Sequence, residues 1–315
     1  MSGERKLLCV GSGWIAARLL AAAGARGWAR RVAYQSYRNP AMPEEMLIPL
    51  PRARDQWMAL CRKIQPDYLV YLLGTSFVPS IEGELSKAIE DNIVSLAHIL
   101  EATAEAAVPL RKILVAGSAS IYAPSDSALR EDSRVLPTDT YGSIKAIQER
   151  VALSFFERRA MPVVVARQFN TSGAGQDGRF VIPSIAAQVA AAVARGDKAV
   201  KLRIGDVEVR RDFLDVRDTV SAYIALLENG APGGVYNVCS GSASSIGEIA
   251  RRACKLFGLE ALFEVQEDLV RHGERRRLLV QGDDARLRAL GWMPQFTLDD
   301  LIRGVVQSYL PSARQ

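Results

Sequence analysis

Tyr141 and Lys145 stand four residues apart in Tyr141-Gly142-Ser143-Ile144-Lys145, at the start of a segment whose composition predicts a helix over 141–158. That spacing puts the phenol and the ammonium on one face, a turn apart. A free tyrosine, with a pKa of about 10, moves protons poorly near neutrality. An adjacent lysine cation favours the phenolate and brings the value down, which makes the pair a usable acid and base. The two residue types also meet at this spacing by chance in many surface helices, so the setting has to decide. Just upstream, Ile113-Leu114-Val115-Ala116-Gly117-Ser118-Ala119-Ser120 reads as a buried strand that ends in small hydroxyl residues. In a parallel sheet that carboxyl end opens into the ligand crevice, where Ser118 can donate a hydrogen bond to a substrate oxygen.

A second constellation opens the chain. Lys6 to Val10 reads as a strand, Gly11-x-Gly13-x-x-Ala16 follows, and an Ala/Leu-rich helix runs to about Gly27. The first glycine suits a tight turn, the second lets the backbone approach a pyrophosphate, and the small third residue lets helix pack on strand. The helix N-terminus then faces the phosphates, with Gly11, Gly13, Trp14 and Ile15 as candidate contacts. The cofactor's form is decided at the end of the next strand, where an acid would bind a ribose 2′-hydroxyl and repel a 2′-phosphate. The chain instead reads Gln35-Ser36-Tyr37-Arg38-Asn39. Ser36 and Arg38 offer a hydroxyl and a guanidinium to a 2′-phosphate, which favours NADP(H) over NAD(H).

The elements that must position these groups alternate. Apolar runs at 31–35, 68–73, 112–116 and 163–166 are separated by predicted helices near 53–64, 89–106 and 141–158. This predicts an α/β fold with a parallel sheet and crossover helices on both faces. Further helices are expected near 185–195, 218–229 and 245–256, with short strands at 200–204 and 262–265 in a smaller lobe. The 315 residues are 49% hydrophobic and 24% charged, with a net charge of +5. The arginines are scattered, with no basic block interleaved with aromatics, which argues against nucleic acid. Cys9, Cys61, Cys239 and Cys254 form no C-x-x-C pair, and with only His98 and His272 neither a metal centre nor a histidine-based triad is expected. Neither a signal peptide nor a run of transmembrane length is seen, so a cytoplasmic protein with reduced cysteines is expected.

Taken together, the glycine turn, the strand-end serine and the Y-x-x-x-K helix resemble the extended branch of the short-chain dehydrogenase/reductase family, which acts on sugar nucleotides. The resemblance implies a Rossmann-type doubly wound sheet with a smaller C-terminal α/β substrate lobe. It implies that Ser118 polarises a carbonyl, Tyr141 passes the proton, and Lys145 tunes the tyrosine and holds the nicotinamide ribose. Leu73, Gly74, Thr75 and Ser76 match the family's fourth-strand loop beside the cofactor, and Asn92 matches an asparagine in the following helix. Asn170, in Arg167-Gln168-Phe169-Asn170, matches a substrate-contacting asparagine, although the family has proline in place of Gln168. The segments 205–218 and 235–241 look most like those of GDP-4-keto-6-deoxy-mannose reductases. Arg211 and Arg271 then correspond to phosphate-binding arginines, a role that bidentate guanidinium chemistry suits.

Sugar-nucleotide 4,6-dehydratases carry acids just after the catalytic serine, whereas this chain has Ala119 and Ser120. Elimination is therefore disfavoured and hydride transfer is left. The reading is NADPH-dependent reduction at C4 of a nucleotide-diphosphate 4-keto-6-deoxyhexose, the GDP-linked form favoured. A sugar-nucleotide 4-epimerase or 4-dehydrogenase, a reductase of another ketone and a non-catalytic dinucleotide-binding protein remain as alternatives. Residues 1–166 are expected to form the cofactor domain, joined by about 216–250, with 167–215 and 251–315 forming the substrate lobe. The family resemblance also implies a homodimer built through the helices at 89–106 and 141–158.

Overall fold

A computed structural model describes residues 4–34, 42–74, 83–266, 269 and 279–310. Its centre is a seven-stranded sheet in the order β3-β2-β1-β4-β5-β6-β10. The strands are β1 (Lys6–Val10), β2 (Ala29–Tyr34), β3 (Leu47–Pro49), β4 (Tyr68–Tyr71), β5 (Lys112–Ala116), β6 (Val163–Gln168) and β10 (Val235–Val238). Every neighbouring pair is parallel. The sequence reading did not include β3, a three-residue edge strand ending on a proline, too short to show periodicity.

Side chains of β1 alternate between two cores, as a sheet covered on both faces requires. Leu7 and Cys9 meet α1 (Trp14–Ala25) and α7 (Val216–Asn229), through Leu19, Leu20, Tyr223 and Leu227. Leu8 and Val10 join the opposite core with Trp57 of α2 (Arg54–Ile64), Leu96 and Ile99 of α4 (Ser95–Glu105) and Ala152 of α5 (Thr140–Arg159). The segment expected as one helix over 89–106 is three pieces: α3 (Leu85–Ile89), a π-helical turn (Glu90–Val94) and α4. Asn92 lies in that turn, and its amide donates to the Ala88 carbonyl at 2.8 Å, competing with the regular helical ladder.

After β6 the chain enters β7 (Asn170–Ser172) and a second core formed by α6 (Val181–Arg195), β8 (Ala199–Ile204), α8 (Ile246–Leu256) and α10 (Leu298–Tyr309). Here β9 (Arg210–Asp215) is flanked by β7 and β13 (Leu279–Val280), both parallel to it, and by antiparallel β11 (Ala243–Ser245). β12 (Glu260–Val265) pairs with β8, and the short α9 (Ala285–Arg288) precedes α10. Between these pieces the chain returns to the large sheet through α7 and β10. All four cysteines are buried and free. Among the described residues, no helix is long and apolar enough to cross a membrane, and no group of three or more His, Cys, Asp or Glu side chains could hold a metal ion.

Candidate active site

Ser118, Tyr141 and Lys145 converge at the carboxyl end of β5. Ser118 leaves the strand in extended geometry and caps a 3₁₀ turn, Ala119–Ile121, its hydroxyl accepting from the Ser120 N–H at 3.1 Å. Asp139 caps α5, its carboxylate accepting from the Gly142 N–H at 2.6 Å. This starts the helix directly against the serine turn and brings Tyr141 alongside Ser118. One turn on, the buried Lys145 sends its ammonium to the Ala116 carbonyl at 2.5 Å.

The electrostatics of the pair differ from the sequence expectation. Burial raises the Tyr141 phenol above its usual value, with the Ser118 hydrogen bond pulling the other way. Burial also pushes the Lys145 ammonium down to about 7, opposed by the Glu149 carboxylate. The expected lowering of the tyrosine by the lysine is therefore corrected. In the protein alone both groups lose hydration together, and the ammonium is aimed at a carbonyl.

The cofactor candidates sit on the same edge. Gly11 has φ +105°, and a Cβ there would meet the Leu72 and Leu73 backbone at 2.9 Å, so β1 must turn there without a side chain. A Cβ on the exposed Gly13 would meet nothing within 4 Å. Gly13 precedes α1 without a side-chain cap, which leaves the helix's first N–H groups available to an anion. A pyrophosphate fits such a cradle. Trp14 donates its indole N–H to the Ala174 carbonyl at 3.0 Å, and Arg18 donates to the same oxygen, closing one side of the turn. Ile15 packs against the core beneath. On the other side is Leu73, buried, beside Gly74 at φ +127°, where a Cβ would stand 2.6 Å from the Asn92 amide oxygen. Ser36, Arg38, Thr75, Ser76 and Arg271 lie outside the described residues.

On the substrate side, Ala119 is buried next to Ser118. The Asn170 amide donates to the Asp212 carbonyl at 3.1 Å, and Asn170 lies opposite Phe213 in the β7–β9 ladder. This brings it within two positions of Arg211, which is itself buried. β13, pairing with Arg210 and Arg211, is the strand into which the segment containing Arg271 leads. The Gln168 side chain, where the family has proline, accepts the Tyr223 hydroxyl and donates to Thr171 Oγ1 at 2.9 Å.

Several groups that shape this site escaped the sequence reading. Asp212 is fully buried and accepts from the Ser240 N–H at 2.8 Å and hydroxyl at 2.7 Å, the Gly241 N–H at 3.0 Å and the Gly282 N–H at 3.2 Å. It thereby binds β9 to the ends of β10 and β13. Burial lifts its carboxyl to about 6 despite those bonds. Glu149, Arg167 and Tyr122 form a buried polar cluster behind Lys145. A usable signal existed for one of them. Glu149 continues the Tyr141/Lys145 face by one further turn.

Comparison with known proteins agrees with this architecture. Residues 52–305 match the family model described as GDP-mannose 4,6 dehydratase. The chain is 31% identical over 294 residues, 89% of its length and 94% of the relative's, to a GDP-6-deoxy-D-mannose reductase of Pseudomonas aeruginosa. It is 24% identical to a GDP-6-deoxy-D-talose 4-dehydrogenase of Aggregatibacter actinomycetemcomitans, over 73% of this chain and 74% of that one. In structure it resembles RMD from Pseudomonas aeruginosa complexed with NADPH, with a TM-score of 0.79, 28% identity, and coverage of 97% of this chain and 99% of the other.

Proposed function

The chain belongs to the GDP-mannose 4,6 dehydratase family of extended short-chain dehydrogenases/reductases, and from that premise we propose that it reduces the C4 keto group of a GDP-linked 4-keto-6-deoxyhexose with NADPH. The observation that carries the reading is the convergence of Ser118, Tyr141 and Lys145 at the end of β5, followed by Ala119 and Ser120 where an elimination would need acids. When bound, NADPH supplies the hydride. Gly11, Gly13 and the open end of α1 would receive its pyrophosphate, beside Trp14, Ile15, Leu73 and Gly74, and the sequence offers Thr75 near them and Ser36 and Arg38 to a 2′-phosphate. Ser118 donates to the C4 oxygen as charge develops there. Tyr141 gives that oxygen its proton, and Lys145 orients the ribose and restores the phenol. Asn170, Ser76 and Ala119 line the sugar, and Arg211 and Arg271 hold the diphosphate.

The P. aeruginosa reductase, similar across nearly the whole chain, supports both the GDP-sugar and the direction of reaction. The test is loss of NADPH absorbance on adding GDP-4-keto-6-deoxymannose. Interconversion of C4 epimers with no added cofactor would instead favour an epimerase. The talose 4-dehydrogenase relative keeps oxidation at C4 as the second reading, measured as NADP⁺ reduction by the 4-hydroxy sugar.

We read the large sheet with its return through α7 and β10 as the cofactor domain and the second core as the substrate lobe, which places the sugar nucleotide between them. The buried free cysteines fit a reducing cytoplasmic compartment. A homodimer through α3, α4 and α5 would cover Leu85, Ile89 and Ile147, which are exposed apolar residues on those helices.

A further inference from the structure

Behind the lysine of the candidate site lies an ion pair that the proposed chemistry does not use. Glu149 and Arg167 are both buried, and the guanidinium takes the carboxylate in a two-pronged grip, Nη2 to Oε1 at 2.6 Å and Nε to Oε2 at 2.9 Å. The same guanidinium donates from Nη1 to the Tyr122 hydroxyl and to the Glu131 carbonyl, each at 2.8 Å. Tyr122 in turn donates to Asn237 Oδ1 at 2.6 Å, and its backbone follows immediately on the 3₁₀ turn that Ser118 caps. One cluster therefore joins three pieces of the site: the helix of Tyr141 and Lys145, the turn of Ser118, and the strand that leads to Asn170. Buried ion pairs are weak contributors to stability compared with apolar packing of the same volume. Stability alone is a poor reason for one beneath the lysine.

We propose that Glu149, gripped by Arg167, is a positioning residue for Lys145: its buried negative charge, one turn on, favours the ammonium form of a lysine aimed at the end of β5, while Arg167 ties that carboxylate to the Ser118 turn through Tyr122. Lys145 and Glu149 are four residues apart on one buried face of α5, the arrangement in which opposite charges support each other. Titratable groups on the elements packed around Lys145 include Tyr141 and Glu149 on its own helix, Arg167 on β6, Tyr122 and Glu131 beyond the serine turn, Tyr223 on α7, Glu90 and Asp91 in the π turn and His98 and Glu101 on α4. Asp91 is paired with Lys87 at 3.2 Å, and Glu131 with Arg286 at 3.6 Å. Burial drives Lys145 down to about 7, and Glu149 is the charge that opposes it. Without Glu149 that opposing charge is gone, and the lysine would lose its proton at a lower pH.

The inference rests on the reading of Lys145 as the ribose-holding residue, and its test includes a readout that needs no sugar. In the full-length enzyme, Glu149→Gln removes the carboxylate charge and keeps an amide oxygen for Arg167. NADPH fluorescence titrations from pH 6 to 9 should show affinity falling with rising pH at a midpoint about one unit lower than in the unaltered enzyme. Turnover at pH 8 should drop by about tenfold with the sugar-nucleotide KM within about threefold. Should that variant not fold, Glu149→Asp, which withdraws the carboxylate by one methylene, should move the same midpoint in the same direction. An unmoved NADPH midpoint in the folded variant would overturn the proposal. Absence of turnover by the unaltered enzyme would count against the proposed reaction instead, leaving the NADPH titrations to decide on Glu149.

Discussion

A Cβ placed on Gly142 would stand 2.4 Å from the carbonyl oxygen of Ser120, so the helix carrying Tyr141 and Lys145 begins in direct backbone contact with the turn that carries Ser118. The glycine inside the Y-x-x-x-K spacing is what allows phenol and serine to meet. Gly142→Ala should push the two apart, costing about 1–3 kcal/mol in stability, the usual range for overpacking. Because a misplacement of this kind can cost about 100-fold in rate, kcat should fall by that order while NADPH still protects against thermal unfolding. Steady-state kinetics beside a melting curve reads both.

Tyr141→Phe removes the proton donor and leaves the ring. Loss of general acid catalysis is worth about 10²–10⁴-fold, and the whole of it should appear in kcat, with NADPH affinity within about threefold of the unaltered enzyme. A variant that retained a tenth of the turnover would show that another group protonates the product.

Arg211 is buried on β9, two positions from Phe213, the ladder partner of Asn170. A guanidinium on a diphosphate contributes similarly in ground and transition states. Arg211→Ala should therefore raise the sugar-nucleotide KM by about 10–100-fold with kcat nearly unchanged. Equal losses in kcat would place it at the reacting carbon.

The Asp212 carboxyl lies at about 6, above its unfolded value, because burial outweighs its four hydrogen bonds. The native state then binds more protons than the unfolded one between about pH 4 and 6, so this residue's contribution is full below about pH 4 and is lost as pH rises through 6. Urea unfolding across pH 4.5–7.5 should show that slope, and Asp212→Asn should abolish it. The NH₂ end of that amide would also face donors from which the second carboxylate oxygen had accepted, at a cost of about 1–3 kcal/mol.

Ile147 is 51% exposed on the outer side of α5. If that face joins two subunits, Ile147→Glu places a charge in the seam and should convert a dimer into a monomer by size-exclusion chromatography with light scattering, with the fold retained. A monomeric unaltered protein would refute the interface directly.

Local pattern was enough to determine the parallel sheet, the glycine turn and the serine–tyrosine–lysine set, because each is written in short-range spacing: alternating apolar runs, G-x-G before a helix, Y-x-x-x-K at a helix start. The same pattern could not show the π turn at Asn92, where a side-chain bond to Ala88 displaces the helical ladder, nor the edge strand at 47–49, which is too short to carry a period. Gln168 was legible as a departure from the family's proline, but its partner Tyr223 is 55 residues away. Glu149 and Arg167 read separately as a helix charge and a strand-end arginine, and only packing buries them together behind Lys145. Burial also reversed the expected electrostatics, since desolvation depends on the atoms surrounding a group. Sequence thus named the groups proposed to react, and tertiary structure decided their charges and their supports, because desolvation and long-range hydrogen bonds exist only once distant segments meet.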